Sequence, residues 1–283
     1  MKIWLDGRLA DKADARLSVF DHGTLYGDGV FEGIRVYSGK IFECQAHVER
    51  LFASAAKVRL TIPYTRQQIV EAMQQTLAAN AMTDGYIRLV VTRGEGTLGL
   101  SPFKCPRGSV FVIADQIELY PREMYDRGMP VIVARTRRTS PTMLDPSVKS
   151  LNYLNNIMAK LEALDAGVGE AIMLNDRGEV SEATGDNIFI IKGGVVLTPP
   201  VSAGILQGVT RRVVMELCVT AGIACREQTI LPAELYEADE CFLTGTAAEV
   251  IPVTKIDGRP IAAGEVGPIS RRLIAAFHAF IRK

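Results

Sequence analysis

Three short segments of the sequence carry residue types that can act together on one small molecule. Lys149 lies in the run DPSVKSLNYLNN, Glu182 lies in SEATGDN, and Thr210 ends the run Gly208-Val209-Thr210. An amine, a carboxylate and a helix start that binds anions suit a ligand with an aldehyde, a ring nitrogen and a phosphate. The sequence therefore favours amine chemistry on such a ligand.

Lys149 is the candidate nucleophile. It lies between Pro146 and a helix predicted to begin near Leu151. A helix N-terminus and partial burial both disfavour an ammonium, and the neutral amine is the form that attacks an aldehyde. A solvated lysine near a helix start is the alternative, because most lysines are solvated.

Glu182 is the candidate partner for a ring nitrogen. It closes a polar turn after predicted strands at 171–174 and 179–181, and the small residues Ala-Thr-Gly-Asp-Asn follow it. A carboxylate there can bind the N–H of a pyridinium ring and keep the nitrogen protonated, which makes the ring a better electron sink. A solvated turn acid is the alternative.

The run Gly208-Val209-Thr210 opens a predicted amphipathic helix. The Thr210 hydroxyl can cap that helix while its first backbone amides point outward, and such amides bind phosphate. The small-residue turn at 244–248 can likewise bring backbone amides close to a carboxylate or to the phosphate. An ordinary Thr cap and an ordinary hairpin turn are the alternatives. The apolar positions of the helix are Val213, Val214, Leu217 and Cys218.

Two segments near the N-terminus predict a substrate-binding surface. YGDGVFEGIRVY spans 26–37 and GYIRLVVTRGEG spans 85–96, and both are interpreted as strands. Side chains two apart on a strand point to one face, so Tyr86 projects with Arg88, and Phe31 with Gly33. This face would combine an apolar slot with a guanidinium that can bind a carboxylate. An exposed sheet face is the alternative.

These residues must be positioned by two domains with a linker between them. Residues 1–119 combine short strands with predicted helices at 48–55 and 69–77 and strands at 86–92 and 110–114. The chain loses its apolar period towards residue 128, so 120–128 is the predicted linker. The second domain, 129–283, would carry Lys149, Glu182 and the phosphate-binding loops. It begins with a strand at 131–134 and a helix at 151–164. The apolar positions of that helix are Leu151, Leu154, Ile157, Met158, Leu161 and Leu164.

Arg50 lies on the first predicted helix. The apolar stripe of that helix is Val48, Leu51, Phe52 and Ala55. Arg50 projects on the opposite side, so the pattern alone predicts a solvated arginine.

Composition narrows the partners. The chain has 283 residues, with 32 Lys plus Arg and 32 Asp plus Glu, giving a net charge of zero. No block of like charge indicates a nucleic-acid or membrane-surface partner, so the ligand is expected to be small. The charged N-terminus does not fit a signal peptide and no apolar run reaches the length of a membrane span, so a cytoplasmic location is expected.

The cysteines indicate neither disulfides nor metal binding. There are five, widely spaced, with no CxxC pair. This argues against a disulfide framework and a structural zinc site, and predicts that most are buried as small apolar residues.

Taken together, the motifs resemble a known superfamily. They read Glu182-x-Thr184-x-x-Asn187-Ile188-Phe189, Val196-x-Thr198 and Leu206-x-Gly208-Val209-x-Arg211. This combination resembles the branched-chain and D-amino acid aminotransferases, the pyridoxal phosphate enzymes of fold type IV, over nearly the whole chain. The resemblance implies an α/β (α+β) fold with a small α/β domain, a larger domain with a pseudo-barrel β core, and an active site at the domain interface. It also implies a homodimer or a higher homo-oligomer.

The resemblance assigns roles by motif position. Lys149 is implied to be the catalytic residue, which links covalently to pyridoxal 5'-phosphate and later moves a proton. Glu182 is implied to pair with the pyridine nitrogen and Tyr153 to reach the phenolic oxygen, while Arg50 is among the groups that hold the phosphate. The residues implied to bind the cofactor are Arg50, Lys149, Tyr153, Glu182, Leu206, Gly208, Val209, Thr210 and Thr246.

Within the superfamily, the first-domain motifs resemble those of L-branched-chain enzymes. D-amino acid enzymes are instead similar to one another in an Arg-x-His motif that binds the substrate carboxylate just after the second strand. This chain has Thr97-Leu98-Gly99 in that region and is expected to have no histidine nearby, which favours L-specificity. The run Lys149-Ser150-Leu151-Asn152 also occurs in D-amino acid enzymes and in some archaeal-type branched-chain enzymes. Many bacterial and animal branched-chain enzymes have two glycines before Asn-Tyr instead. The residues implied to bind substrate are Tyr26, Phe31, Tyr86, Arg88, Thr246 and Ala247.

The leading hypothesis is a ping-pong transaminase that moves the amino group of Leu, Ile or Val to 2-oxoglutarate and gives glutamate. Its partners would be amino acids and 2-oxo acids. The same cofactor could instead serve D-amino acid or R-amine transamination, or aminodeoxychorismate lyase chemistry. A binding module for a phosphorylated ligand, without catalysis, is the alternative of another class.

Overall fold

The computed structural model describes residues 1–282, which form two compact units. The first unit comprises Met1–Ile117 and Val148–Asn152, and the second comprises Glu118–Ser147 and the chain from Tyr153 onwards. Lys149 therefore belongs to the first unit, whereas the sequence assigns it to the second domain. The reason is that the segment around Lys149 is hydrogen-bonded to the backbone of Gly29 and Phe31 in the first unit.

The first unit is built on an antiparallel sheet of six strands among the described residues, in the order β2-β1-β6-β5-β3-β4. Its strands are β1 (Lys2–Leu5), β2 (Arg8–Asp11), β3 (Gly29–Tyr37), β4 (Lys40–Ile41), β5 (Gly85–Thr92) and β6 (Ser109–Asp115). Its helices are α1 (His22–Tyr26), α2 (Cys44–Lys57) and α3 (Arg66–Ala79), with a 3-10 turn at Pro102–Lys104.

Helices α2 and α3 confirm the helical spacing of the sequence. Val48, Leu51 and Ala55 of α2 are buried in the core of this unit, and Phe52 packs at its edge. The segment 26–37, in contrast, is not a strand throughout. Helix α1 ends at Tyr26, so this residue precedes β3 instead of lying on it.

A short backbone pairing attaches residues 148–152 to the first unit. The Phe31 amide donates to the Lys149 carbonyl at 3.0 Å, and the Leu151 amide donates to the Gly29 carbonyl at 2.9 Å. Gly29 permits this approach, because a Cβ there would overlap the Leu151 side chain and the Val91 carbonyl. Residues 149–151 therefore run alongside the start of β3, and Lys149 lies beside Phe31.

The second unit is built on a mixed sheet whose main path, within residues 1–282, runs β12-β11-β10-β13-β14-β7-β8-β9, with β15 paired to β14. The strands are β7 (Met129–Val133), β8 (Glu170–Leu174), β9 (Val180–Ala183), β10 (Asn187–Lys192), β11 (Val195–Thr198), β12 (Cys225–Glu227), β13 (Glu240–Gly245), β14 (Glu249–Ile256) and β15 (Arg259–Pro260). The helices are α4 (Arg122–Arg127), α5 (Leu154–Asp165), α6 (Val209–Thr220), α7 (Pro232–Tyr236) and α8 (Pro268–Ile281), with a 3-10 turn at Val201–Ala203.

The core of the second unit lies on this sheet. Strands β8, β9 and β10 are buried almost throughout, as expected for strands covered on both faces. Phe189 of β10 stacks on Phe242 of β13 with ring centroids 4.8 Å apart. The predicted linker differs from the structure, since it contains α4 and the buried Tyr120, whose hydroxyl donates to Glu170.

Helix α5 shows the largest departure from the pattern. It begins at Leu154, not at Leu151, and its large apolar residues Leu154, Ile157, Met158, Leu161 and Leu164 are 47–69% exposed. Its buried side chains are Asn156, Ala159 and Ala163. Small side chains let the helix approach β8 closely, so the face with the larger residues is not the packed face.

The cysteines are all free thiols in the described residues, as predicted. Only Cys218 and Cys241 are fully buried, so the expectation that most are buried is wrong. Within residues 1–282, no helix is both long and apolar enough to cross a lipid bilayer.

Candidate active site

The side chain of Lys149 lies against an aromatic ring. Its Nζ is 4.6 Å from the centroid of the Phe31 ring, and the Arg88 guanidinium carbon is 4.5 Å from the same centroid. Arg88 is also 5.7 Å from the centroid of the Tyr86 ring. We call Lys149, Phe31, Tyr86 and Arg88 the amine cluster. It combines a nucleophilic amine, an apolar surface and a guanidinium that can bind a carboxylate.

Strand pairing explains why these side chains meet. Phe31 lies opposite Val90 and Gly33 lies opposite Arg88 in the β3–β5 register. The period of two predicts that Tyr86 and Arg88 share a face, and both approach β3 on the side of Phe31. Lys149 joins them because its carbonyl is hydrogen-bonded to the Phe31 amide.

Gly33 makes room for Tyr86. A Cβ at Gly33 would overlap the Tyr86 hydroxyl and the ring carbon that carries it. The absence of a side chain at this position therefore determines where the Tyr86 ring lies.

Replacing Gly33 with alanine is expected to displace Tyr86 and to lower the free energy of unfolding by about 1–3 kcal/mol, because the added methyl overpacks this contact. The loss should largely disappear in a Tyr86→Ala background, as a double-mutant cycle in urea will show. Gly185→Ala is the matched control, since a Cβ there meets open space. An equal loss in both backgrounds would contradict the prediction.

Tyr26 reaches the segment after β5 from helix α1. Its hydroxyl accepts a hydrogen bond from the Gly99 amide at 2.9 Å. Buried His22 packs edge-on against the Tyr26 ring, and its Nε2 is 2.9 Å from the Thr97 carbonyl oxygen. The structure thus places His22 beside Thr97, in the segment that was expected to have no histidine nearby. The contact spans residues 22 to 97, so no local pattern indicated it.

Arg50 does not face solvent, so the prediction from the helical pattern is wrong. Its side chain is only 14% exposed, and its Nε and Nη2 donate to the two Glu32 carboxylate oxygens at 2.8 and 2.7 Å. His47 Nδ1 lies 2.8 Å from Glu32 Oε2. Glu32 lies on β3 next to Phe31, and no local sequence pattern indicated its role.

The pKa values of Glu32 and His47 depend on burial, on each other and on the neighbouring Arg50 cation. Burial raises the pKa of Glu32, but the charge and hydrogen bonds of Arg50, with the bond to His47, outweigh it and lower the pKa to about 2. Burial lowers the pKa of His47 below its usual value, despite the neighbouring carboxylate. Glu32 is therefore an anion paired with the Arg50 cation, which fixes the guanidinium in place.

These shifts predict acid lability. Both groups bind protons less readily in the folded protein than in the unfolded chain, so protons favour unfolding as pH falls. The contribution of Glu32, about 3 kcal/mol at neutral pH, should be lost between pH 4.5 and about 2. His47 should begin to destabilise the fold below pH 6.5.

Urea unfolding across this pH range will test the prediction. Glu32→Gln should lower stability at neutral pH and flatten the curve between pH 4.5 and 2. Glu49→Gln, which removes an exposed partner of Arg66, should retain the slope of the original protein. Parallel curves for Glu32→Gln and the original protein would contradict the assignment.

Glu182 lies in the second unit, on β9 instead of in a polar turn. Its Oε1 accepts a hydrogen bond from Arg138 Nε at 2.9 Å, and its Oε2 accepts from the Leu206 amide at 2.9 Å and from Asn187 Nδ2 at 3.1 Å. The side chain is 7% exposed. Donors on both oxygens fix the direction of the carboxylate and complement its negative charge. No local sequence pattern indicated Arg138, because it lies 44 positions from Glu182.

Helix α6 begins at Val209, with Gly208 as its N-cap and no side chain capping it. The prediction that Thr210 caps the helix is therefore wrong. Thr210 lies inside the first turn, and its hydroxyl is 3.5 Å from the Thr246 hydroxyl. The first turn thus presents backbone amides beside two threonines, a donor set that suits a phosphate.

Two glycines hold the surrounding backbone close to polar side chains. A Cβ at Gly208 would overlap the Asn187 side-chain oxygen, and a Cβ at Gly245 would overlap the Asp186 carboxylate. Gly245 ends β13, and Thr246 and Ala247 form the turn that follows. Gly245 belongs to the small-residue turn at 244–248, and its lack of a side chain lets the backbone approach Asp186 closely.

Tyr153 is the remaining predicted site residue. It is half-buried and lies immediately before Leu154, the first residue of α5. Two pairs of predicted site residues are in contact within the second unit. Glu182 accepts a hydrogen bond from the Leu206 amide, and the Thr210 hydroxyl lies beside the Thr246 hydroxyl.

Comparison with known proteins identifies the family of the chain. The model of the family described as amino-transferase class IV matches residues 29–256. A relative from Methanocaldococcus jannaschii, named "Putative branched-chain-amino-acid aminotransferase", is 49% identical over 277 residues, covering 98% of this chain and 95% of the relative. The D-alanine aminotransferase of Bacillus licheniformis is 35% identical over 282 residues, covering 98% of this chain and 95% of the relative.

A solved structure is similar over almost the whole chain. It is a T.th. branched-chain amino acid aminotransferase with pyridoxamine 5'-phosphate, at a TM-score of 0.95 and 34% identity, covering 99% of this chain and 93% of that chain. The mixed α/β fold predicted from the sequence is confirmed. Because the family model matches residues 29–256 and the relatives align over nearly their whole length, the protein belongs to the class IV aminotransferases.

Proposed function

We propose that the protein is a pyridoxal phosphate-dependent transaminase that moves the amino group of L-branched-chain amino acids to 2-oxoglutarate and releases L-glutamate. The amine cluster is the observation that carries this proposal. It places the Lys149 amine and the Arg88 guanidinium on one aromatic ring, so an amine, an apolar wall and a carboxylate-binding group are adjacent. The family and the relatives' names support the reaction class.

The described residues fit the cofactor. The first turn of α6, with Val209, Thr210 and nearby Thr246, supplies amides and hydroxyls for the phosphate, and Glu182 supplies an oriented carboxylate for the ring N–H. We assign Arg50 to the phosphate and Tyr153 to the phenolic oxygen. When bound, pyridoxal phosphate supplies an electron sink for a carbanion at the α-carbon of the substrate.

The chain supplies binding, orientation and proton transfer. Lys149 would hold the cofactor through its amine, and the freed amine would accept the proton from the α-carbon of the donor. The Phe31 ring under Lys149 limits the positions of the amine. Glu182 would pair with the ring nitrogen and favour its protonated form, which makes the ring the better electron sink.

A ping-pong reaction requires one pocket for two kinds of side chain. We assign the aliphatic chain of Leu, Ile or Val to the aromatic surface of Phe31 and Tyr86, with Tyr26 beside it. Arg88 would bind the distal carboxylate of glutamate or 2-oxoglutarate through a charge-assisted hydrogen bond. The backbone amides of Thr246 and Ala247 are assigned to the α-carboxylate.

A panel of amino donors with 2-oxoglutarate tests the proposal, with glutamate formation as the measurement. L-Leu, L-Ile and L-Val are expected to give the highest kcat/KM. The panel includes both enantiomers of alanine, leucine and phenylethylamine, and pyruvate release from aminodeoxychorismate is measured in parallel. Turnover confined to alanine, D-leucine, phenylethylamine or aminodeoxychorismate would overturn the assignment.

D-amino acid transamination is the second candidate, favoured by the D-alanine aminotransferase among the relatives. The two candidates share the cofactor and differ in which face of the α-carbon loses its proton. Preference for D-alanine over L-leucine in the panel would establish this alternative.

A further inference from the structure

Glu182 is part of a buried polar network in the second unit. Arg138, in the segment after β7, contacts Glu182 through Nε at 2.9 Å. The two side chains are 12% and 7% exposed, so water screens the pair poorly.

Arg138 is itself held in place. Its backbone amide donates to the Leu174 carbonyl at 2.8 Å, and its Nη1 donates to Asn156 Oδ1 at 3.3 Å. Asn156 in turn donates from Nδ2 to the Thr184 carbonyl at 2.7 Å and is buried on α5. The other buried side chains of α5 are the alanines Ala159 and Ala163. The hydrogen bonds of Asn156 with Arg138 and Thr184 therefore determine where the Asn156 side chain lies.

The chemistry at Glu182 concerns one shared proton. On the proposed function, the ring nitrogen of pyridoxal phosphate and Glu182 compete for it, giving either a pyridinium with a carboxylate or a neutral ring with a carboxylic acid. At a poorly screened site the neutral pair becomes competitive, because separating charge there is costly. A cation in direct contact with the carboxylate lowers its affinity for the proton and so favours the charged pair.

We propose that Arg138 is a positioning residue that keeps the shared proton on the ring nitrogen of the cofactor, by stabilising Glu182 as an oriented anion. No atom is gained or lost, since the proton moves only between the ring nitrogen and a Glu182 oxygen. The proposal rests on the proposed role of Glu182 and concerns a residue outside the motifs that define the family resemblance.

The test uses the holoenzyme with pyridoxal phosphate that carries ¹⁵N in the ring, because the ¹⁵N chemical shift reports directly whether that nitrogen is protonated. The variants are Arg138→Gln, which retains a hydrogen-bond donor without charge, and Arg138→Lys, which retains the charge. Lys192→Met, which breaks an exposed ion pair with Glu237 in the same unit, is the control.

Arg138→Gln is expected to move the ¹⁵N shift towards that of the unprotonated ring, and to lower kcat by about ten- to a hundredfold, the range for loss of one charge-assisted hydrogen bond. Arg138→Lys is expected to restore most of both properties, and Lys192→Met to change neither. Circular dichroism and cooperative urea unfolding establish that each variant is folded. If Arg138→Gln does not fold, Asn156→Ala takes its place and is compared with Arg138→Lys. Asn156→Ala removes a hydrogen-bond partner of the Arg138 guanidinium. It is expected to move the ¹⁵N shift in the same direction by a smaller amount.

The outcomes separate this proposal from the proposed function. If wild-type protein binds the cofactor and Glu182→Gln alters the ¹⁵N shift, while folded Arg138→Gln matches wild type, the role of Arg138 is overturned and that of Glu182 stands. If wild-type protein binds no cofactor, or Glu182→Gln leaves the shift unchanged, the proposed function of the site fails first. A purely structural role for Arg138 would change stability without changing the ¹⁵N shift.

Discussion

Lys149→Ala is expected to abolish transamination, with kcat reduced by at least about 10⁴-fold, because the variant loses both the covalent attachment of the cofactor and the group that moves the proton. The backbone contacts of Lys149 do not depend on its side chain, since its amide donates to Ser54 Oγ and its carbonyl accepts from Phe31. Alanine should therefore preserve the fold while removing the amine.

Borohydride reduction followed by peptide mapping measures the covalent link itself. In wild-type protein the label is expected on the peptide that contains Lys149, and in Lys149→Ala no lysine peptide should carry it. Lys192→Ala, a change at an exposed lysine paired with Glu237, should leave labelling and turnover as in wild type. Retained turnover in Lys149→Ala, or labelling of another lysine in wild type, would refute the assignment.

Glu182→Gln is expected to lower kcat by about a hundredfold or more, because the neutral amide does not stabilise a protonated ring nitrogen. The same change leaves the Arg138 cation without its buried carboxylate. Removing one partner of a buried ion pair costs about 3 kcal/mol of unfolding free energy. Stopped-flow kinetics of the donor half-reaction and urea unfolding measure the two effects separately.

The double variant Arg138→Gln with Glu182→Gln separates catalysis from stability. It removes the unpaired cation, so part of the lost stability should return while kcat stays low. Glu237→Gln, at an exposed acid of the same unit, is the matched control and should change neither. An active Glu182→Gln, or a double variant as unstable as the sum of the single ones, would contradict this account.

Local pattern identified much of the first unit. Period-two alternation gave β5 and β6, and the stripe of Val48, Leu51 and Ala55 gave α2 with the correct buried face. These elements bury large apolar residues on one face, so their spacing carries the signal. The helix start at Gly208-Val209 was identified for the same reason, since the core residues of α6 follow it at helical spacing.

The sequence pattern predicted burial wrongly where packing depends on residues that are distant in the sequence. Arg50 looked solvated because its partner Glu32 lies on another element, and a buried ion pair leaves no periodic trace. On α5 the periodic large residues are exposed and the alanines are buried, because close approach to a strand requires small side chains. A burial rule based on hydrophobicity alone selects the opposite face.

The sequence by itself determined the family and the identity of the groups available for chemistry, because a lysine, a glutamate and a glycine-threonine helix start are read from residue type and spacing. Tertiary structure alone decided which partners those groups contact and where they point. Arg138 reaches Glu182 across 44 positions, Glu32 reaches Arg50 across 18, and His22 reaches Thr97 across 75. The energy of a charge depends on what surrounds it in space, and that neighbourhood exists only after the strands have paired.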